Sequence, residues 1–172
     1  KEKGLHRFAD PQNKLEMIRG GSEATSTDYY RPRLGGDMAV MRGIAKWLLA
    51  WEQEAKANNA PPVFDHDFIN AHTNGMDDYL TAVEATSWEH IEAQSGLSKE
   101  DIRHAATMYK RGERVIMCWA MGITQHKHSV ATVQEIVNVQ LLRGNVGKPG
   151  AGLSPVRGHS NVQGDRTVGI NH

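Results

Sequence analysis

Residues 115–128 read VIMCWAMGITQHKH, and the rest of the chain is interpreted from this stretch. An apolar, β-type run occupies residues 115–119 and breaks at Met121-Gly122. After the polar residues 123–128, the segment SVATVQEIVNVQLL (129–142) has helical spacing, and a glycine-dense tail follows, beginning GNVGKPGAGLSPVRGHSNVQG (144–164). A strand, a turn, a helix and a loop in this order present backbone N–H groups to a ligand at the carboxyl end of a sheet. The stretch therefore predicts a nucleotide-type cofactor site.

The same stretch indicates the fold class. The continuous apolar character of residues 115–119 predicts an interior strand that is buried on both faces of a mostly parallel sheet. The following helix is apolar on two stripes, one of which contains Val130, Val133, Val137 and Leu141 and the other Ile136, Val139 and Leu142. Such a helix is expected to be buried, lodged between a sheet and another domain. We therefore expect an α/β, Rossmann-like domain in which helices flank the sheet.

Five further helices are predicted upstream. The first begins at Asp37, which we expect to act as its N-cap, and ends near Asn58; the others cover residues 65–71, 76–85, 88–94 and 99–110. Ser98 and Asp101 form a near capping box for the last of these helices. Residues 1–33 are predicted to be an irregular lead-in with a short strand at 15–18, and residues 144–172 a glycine-rich cofactor and substrate loop. The 172 residues are thus treated as one α/β domain.

Composition excludes several classes of function. Twenty basic residues balance 20 acidic ones, so neither a nucleic-acid surface nor a membrane surface is indicated. No apolar run is long enough to span a bilayer, and one cysteine excludes a disulfide framework or a multi-cysteine metal site within these residues. These features fit a cytoplasmic protein. Because the chain starts at Lys1 and stops at His172 just after a functional-looking run, we expect it to be an internal piece of a longer polypeptide.

The glycine-rich tail matches neither of the common phosphate-binding motifs. Gly147-Lys148 is followed by Pro149 where a P-loop has Ser or Thr, and Pro155 replaces the third glycine of a dinucleotide-binding GxGxxG. Each glycine alone is explained by a loop with positive φ angles. Eight of the 17 glycines nevertheless fall between Gly122 and Gly169, which favours close approach of the backbone to a ligand.

Two groups of side chains have functional and structural interpretations. His126, His128 and Cys118 suggest a metal site, but a small free cysteine is commonplace in an apolar strand, and a metal needs three or four converging ligands. We therefore predict no protein-built metal site. Arg157 lies in a loop with small neighbours, where its guanidinium is suited to binding a carboxylate or phosphate with two hydrogen bonds. The sequence equally allows Arg157 to tie down carbonyls of its own loop.

Three motifs carry a family resemblance. They are WAMGITQH (119–126), LLRGNVGKPGAG (141–152) and PVRGHSNVQG (155–164), with further likeness at residues 34–39, 64–69 and 95–98. In this order and spacing they closely resemble the molybdopterin oxidoreductases, and within these the formate dehydrogenase alpha-subunit-like branch, which includes the YdeP-like proteins. The resemblance covers nearly the whole chain from about residue 33 onward.

The resemblance implies a cofactor and residues that bind it. The cofactor is bis-molybdopterin guanine dinucleotide with molybdenum or tungsten, and a 4Fe-4S cluster is implied in the parent protein but not in this chain. The resemblance puts Met121, Gly122, Thr124 and Gln125 on the cofactor, Asp37 near a guanine end, and Gly158 and His159 beside the pterin. Arg157 corresponds to the arginine that orients the substrate carboxylate in the family's formate dehydrogenases. The implied reaction is oxidation of formate to CO2, with electrons passing through molybdenum to the cluster.

Two departures keep alternatives open. The family's formate dehydrogenases carry Gln-Asn after the Arg-Gly pair, whereas this chain has His159-Ser160. The molybdenum ligand (Cys or selenocysteine), its partner histidine and the cluster cysteines are not found in these residues, so the chain alone is expected to be inactive. A molybdenum enzyme for another substrate, such as nitrate, or a non-catalytic nucleotide-binding or regulatory α/β module remains possible. The expected partners are a small oxyanion substrate, other domains of the parent chain and an electron-transfer subunit.

Overall fold

The structure is a computed structural model that describes residues 7–8, 12–19, 23–24, 26–158, 164 and 167–169. The chain divides into two compact units, Lys1–Arg31 and Pro32–His172. Within the described residues, no helix combines the length and apolar character needed to cross a bilayer.

The first unit contains a small antiparallel sheet and one helix. Strand β1 (Arg7–Phe8) pairs with strand β2 (Glu23–Ala24), and helix α1 (Lys14–Arg19) lies between them in the chain. The expectation of a short strand at residues 15–18 is wrong, because these residues form part of α1. A mainly apolar run of four residues is too short to distinguish a strand from a single helical turn.

The second unit is mostly helical and is built around one long helix. Helix α2 (Asp37–Ala57) is followed by α3 (His66–His72), α4 (Met76–Ala85), α5 (Trp88–Ser95) and α6 (Lys99–Arg111). These bounds confirm the predicted helices to within one or two residues. α2 packs against α4, α5, α6 and the later helix α8 (Ser129–Leu142). The apolar side chains between them form the core, which includes Ile44, Leu48, Leu49, Val83, Ile91, Ile102, Ala106, Val139 and Leu142.

A glycine in the middle of α2 allows this close packing. A Cβ atom on Gly43 would lie 2.8 Å from Cγ2 of Ile102 and 3.2 Å from Cγ2 of Ile91. Glycine costs helix stability relative to alanine, by about 1 kcal/mol. Here the missing side chain lets α5 and α6 approach the axis of α2, so close packing explains why position 43 is a glycine.

The predicted helix ends are mostly confirmed. Ser98 and Asp101 form the capping box at the start of α6, with the Asp101 amide donating to the Ser98 hydroxyl and the Ser98 amide donating to the Asp101 carboxylate. The prediction for Asp37 is wrong. Gly36 is the N-cap of α2, and Asp37 is the first helical residue, where its charge still complements the helix dipole.

Residues 116–155 fold into a β–α–β unit. Strand β3 (Ile116–Trp119) leads through a short helix, α7 (Met121–Thr124), into α8 and then into strand β4 (Gly152–Pro155). β3 and β4 are parallel, with Ile116 paired to Gly152 and Trp119 to Pro155. The parallel sheet and the 129–142 helix are therefore confirmed. The tail was expected to be irregular, and β4 corrects that expectation, because four of its residues are ordered by pairing with β3.

The prediction that β3 is an interior strand buried on both faces is wrong. Its described sheet has two strands, so β4 is its one hydrogen-bonded neighbour there. Ile116 is 55% exposed and Cys118 is also exposed, while Met117 packs against the core. An apolar run indicates that a strand can be buried on both faces, but burial also requires a layer on each side. The described helices cover one face. The fold is thus mixed, mostly helical with a parallel two-stranded sheet, and a Rossmann-like domain remains a prediction.

Helix α8 is buried on one of its two apolar stripes. Ile136, Val139 and Leu142 are buried, whereas Val130 is 71% exposed and the rest of its stripe is half-buried. The expectation of burial around most of the helix is therefore confirmed for one stripe and wrong for the other. The same helix buries three polar residues, Thr132, Glu135 and Gln140, that the pattern did not single out.

Candidate functional site at the carboxyl ends of β3 and β4

A cleft of about 360 Å³ opens where the two parallel strands end. β3 ends at Trp119 and β4 at Pro155, and the amide of Val156 donates to the carbonyl of Trp119 at 2.7 Å, so the strands remain joined at the cleft. The residues around it come from two separate motifs and are Trp119, Ala120, Met121, Thr124, Pro155, Val156, Arg157 and Gly158. The carboxyl ends of parallel strands are where α/β folds bind ligands. The order of elements thus brings both motifs to one cavity.

Met121 connects the two motifs by direct packing. A Cβ atom on Gly158 would lie 3.3 Å from Sδ of Met121 and 3.5 Å from its Cε, so glycine allows the second loop to lie close to this side chain. On the other side, Nε2 of Gln125 is 3.8 Å from the same sulfur, and the Gln125 amide donates to the Met121 carbonyl at 2.9 Å. Met121 is still 45% exposed, so an apolar surface faces the cleft.

Gly122 has open space where a side chain would be. Apart from its two chain neighbours and the backbone of its own helix, no atom lies within 4 Å of a Cβ built on it, and its φ is not in the positive region that favours glycine. Neither internal packing nor backbone conformation therefore requires glycine here. This differs from Gly43, whose glycine the helix packing explains.

Four of the predicted site residues meet at the cleft, namely Met121, Thr124, Arg157 and Gly158. Gly122 lies within α7 and Gln125 is its C-cap residue, so both are adjacent in the chain to residues of the cleft. Asp37 is at the start of α2, beside Gly35 and Met38, which line a different cavity. Its proximity to Met121 and Gln125 stays a prediction. His159 lies outside the described residues.

The predicted metal-binding candidates do not form a cluster. Among the residues that the structure describes, no group of three or more His, Cys, Asp or Glu side chains is arranged to hold a metal ion. Cys118 is on the exposed face of β3.

A buried polar network that sequence reasoning missed positions the two strands. Gln140 on α8 is fully buried, and its Nε2 donates to the carbonyls of Val115 at 2.9 Å and Gly152 at 2.8 Å, at the beginnings of β3 and β4. Its Oε1 lies 2.9 Å from the Tyr109 hydroxyl. The Asn145 side chain, also fully buried, donates to that hydroxyl at 3.3 Å and accepts from the Val115 amide at 3.4 Å. Two strand starts and two helices are thus tied together.

The network accommodates a polar phenol in the core. Burial raises the pKa of Tyr109 to about 12, although Asn145 and Arg143 act in the opposite direction. Tyr109 therefore stays neutral at physiological pH and can keep donating its proton. The sequence signal for such a network is weak, since Gln140 occupies an ordinary helical position between apolar neighbours.

Comparison with known proteins supports the resemblance on which the site was predicted. Protein YdeP of Escherichia coli (strain K12) is 47% identical over 169 residues, which is 98% of this chain and 22% of that protein. The uncharacterized oxidoreductase Rv2900c of Mycobacterium tuberculosis (strain ATCC 25618 / H37Rv) is 43% identical over 169 residues, or 98% of this chain and 21% of that protein. Formate dehydrogenase H of Escherichia coli (strain K12) is 39% identical over 107 residues, covering 62% of this chain and 15% of that protein. The chain belongs to the formate dehydrogenase-like oxidoreductases.

The match covers a limited part of the relatives. No protein-family model matches the chain. This chain spans about a fifth of the length of its curated relatives YdeP and Rv2900c.

Proposed function

We propose that this chain forms part of a molybdenum-dependent, formate dehydrogenase-like oxidoreductase and binds a molybdopterin guanine dinucleotide in the cleft at the ends of β3 and β4. The observation that carries the proposal is the meeting of two motifs there, Met121 and Thr124 from one and Arg157 and Gly158 from the other. Both motifs belong to the stretches that carry the family resemblance. One relative is named an oxidoreductase, and another is named formate dehydrogenase H.

The cleft has properties that suit contact with part of a dinucleotide cofactor. The open space beside Gly122 leaves its backbone accessible, and a ligand in contact with that backbone would account for a glycine that the chain itself does not need. Met121 and Val156, which are 45% and 53% exposed, offer apolar contact area, while the hydroxyl of Thr124 offers a hydrogen bond. When bound, the molybdenum centre would supply the two-electron redox chemistry that side chains lack.

Arg157 is the proposed substrate-positioning residue. It lies two residues after the end of β4 and lines the cleft with an exposed side chain. A guanidinium presents parallel N–H donors that match the two oxygens of a carboxylate. Oxidation of formate to CO2 releases two electrons and one proton, and both oxygens remain on carbon throughout. Holding these oxygens would orient the C–H bond without blocking it.

Two substitutions in the protein that contains this chain test the two parts of the proposal. Gly122→Ala adds a methyl group to the open space, so the molybdenum content of the purified protein should fall by about half or more, while the fold is retained because no protein atom is in the way. Arg157→Lys keeps the charge and loses the two-point contact, so formate turnover should fall by about one to three orders of magnitude at unchanged molybdenum content. Arg111→Lys, at the exposed end of α6, is the matched control and should change neither quantity.

The outcomes separate cofactor binding from substrate choice. Full molybdenum content in Gly122→Ala would contradict cofactor binding at this cleft. Full formate turnover in Arg157→Lys would show that Arg157 only supports its loop. Absence of formate turnover in a molybdenum-loaded parent protein would reject formate as the substrate and leave cofactor binding unaffected.

A further inference from the structure

A second cavity, of about 430 Å³, lies between α2, α4, α5 and the residue that precedes α8. It shares no lining residue with the cleft at the ends of β3 and β4. Its walls combine an apolar part with polar side chains, and the lining residues are Gly35, Met38, Ala39, Arg42, Ala82, Thr86, His90, Ile91, Gln94 and His128. Neither aspartate nor glutamate is among these lining residues. A cavity lined by a guanidinium, two imidazoles and an amide offers several N–H donors and favours a ligand that accepts hydrogen bonds.

Arg42 is fixed in place by a buried carboxylate behind it. Its Nε lies 2.8 Å from Oε1 of Glu135, and its Nη2 donates to Oε2 at 2.9 Å. Glu135 is 3% exposed and also accepts a hydrogen bond of 2.9 Å from the Tyr79 hydroxyl. Because this pairing uses one edge of the guanidinium, Nη1 lies outside the ion pair, and the group is held in one orientation with part of its surface at the cavity. A preorganised guanidinium loses little conformational entropy when it binds an anion.

His90 and Gln94 contribute donors from a single helix face. They are four residues apart on α5, so their side chains are neighbours along the cavity wall. The hydroxyl of Thr86, the C-cap residue of α4, donates to the Ala82 carbonyl at 2.8 Å. We therefore do not assign it as a donor to the ligand. His90 and Gln94 are both exposed, so either can be replaced without creating a hole in the core.

The start of α8 adds a favourable electrostatic contribution. His128, which lines the cavity, is the N-cap residue of this 14-residue helix and makes no side-chain capping bond. The first turn of α8 contains no acidic residue, so its positive dipole end is not neutralised locally. This contribution supplements the side chains and would be insufficient without them.

We propose that this cavity binds a small oxyanion through Arg42, His90 and Gln94, with a phosphate or carboxylate group as the recognised chemistry. Met38 and Ala39, which are half-buried, form the apolar side of the cavity and would contact the carbon atoms of an organic anion. The site shares no lining residue with the cleft at the ends of β3 and β4, and it rests on its own lining residues rather than on the proposed function.

The test is a titration of the chain, labelled with ¹⁵N, at constant ionic strength. Inorganic phosphate, acetate and chloride are the three probes, and the chemical shifts of backbone amides are followed. Phosphate, acetate or both should produce saturating shifts in residues 86–94 and 128–131, with a dissociation constant on the order of 1 mM for so few contacts. Saturation by phosphate alone assigns a phosphate group as the ligand, and saturation by acetate alone assigns a carboxylate. Saturation by both assigns a general oxyanion site.

Two variants and a control make the test specific. His90→Leu and Gln94→Leu should each weaken binding about tenfold, as expected for loss of one hydrogen bond to a charged ligand. His104→Leu, at an exposed histidine on α6, is the matched control and should leave binding unchanged. The proposal is overturned if chloride gives the same shifts as the oxyanions, or if the variants bind as tightly as the unmodified chain. Shifts confined to residues 119–124 and 155–158 would also overturn it, because they would assign the anion to the other cleft.

Discussion

Replacing Gln140 by leucine is the sharpest perturbation of how the candidate site is positioned. The side chain is fully buried and joins α8 to the first residues of both strands whose far ends form the cleft. Leucine has a similar volume and suits a helix, so the substitution removes hydrogen bonds without leaving a large cavity. The variant therefore isolates the polar contribution.

The expected cost follows from the hydrogen bonds that are lost. The Gly152 carbonyl loses its donor from Gln140 but keeps a backbone partner through its parallel pairing with β3. The Val115 carbonyl likewise loses one of two donors, because it still accepts from the Gly152 amide at 3.0 Å. The Tyr109 hydroxyl keeps the Val139 carbonyl at 2.9 Å. None of these groups is left without a partner, so the free energy of unfolding should fall by about 1–3 kcal/mol, the net value of two lost hydrogen bonds.

The assay is thermal unfolding followed by circular dichroism, together with amide hydrogen exchange. For a chain of this size the melting temperature should fall by roughly 2–12 °C. Exchange should accelerate most at the amides of Val115 and Gly152, because both strand starts are released. The matched control is Gln134→Leu, an exposed position on the same helix, which should shift the melting temperature by less than about 2 °C. A Gln140→Leu variant as stable as that control would refute the idea that the network holds the strands.

Two further outcomes are expected from charged pairs. Arg42→Met should destabilise the chain by about 3–5 kcal/mol, since Glu135 would be left buried without its cation. Unfolding in urea measures this loss, and the double variant that also carries Glu135→Gln should regain part of the stability. Burial already raises the pKa of Glu135, so the loss in Arg42→Met should be greater at pH 8 than at pH 5, and the opposite order would contradict the argument. Burial also acts to raise the pKa of Glu52, but hydrogen bonds from His66 and two backbone amides outweigh it and lower the pKa overall. Ionised Glu52 therefore stabilises the fold above a pH of about 4.5, and this stabilisation is lost as the pH falls through its lowered pKa. In Glu52→Gln the free energy of unfolding should accordingly decrease less steeply on acidification than in the unmodified chain.

The helical part of the fold could be predicted from sequence because its signals are local. The capping box of Ser98 and Asp101 and the left-handed glycines Gly75 and Gly96 are set by residues within one turn of a helix end. Periodic apolar residues then supply the buried face. Asp37 shows the limit of this approach, since a good capping residue next to two glycines does not fix which of the three is the cap.

The sheet could be predicted only in part, because strand pairing is not a local property. The apolar run in β3 was recognised, whereas β4 has the sequence GLSP, whose glycine and proline both argue against a strand. It is a strand because β3 and the Gln140 amide supply hydrogen-bond partners to its backbone. The exposed side of β3 was missed for a related reason, since an apolar sequence does not reveal which layers surround it.

The candidate cleft was partly predictable for a geometric reason that does not depend on whether β3 is an interior or an edge strand. Parallel strands place their carboxyl ends at the same edge, so a motif after β3 and a motif after β4 must lie near each other once the pairing is parallel. This holds whether or not further strands continue the sheet, and it explains why Met121 and Arg157 share one cavity although 36 positions separate them in the sequence. Asp37 follows no strand in the described sheet, so the same geometry does not bring it to the cleft. The parallel topology thus accounts for the proximity of Met121 and Arg157, whereas the predicted position of Asp37 depends on the resemblance alone.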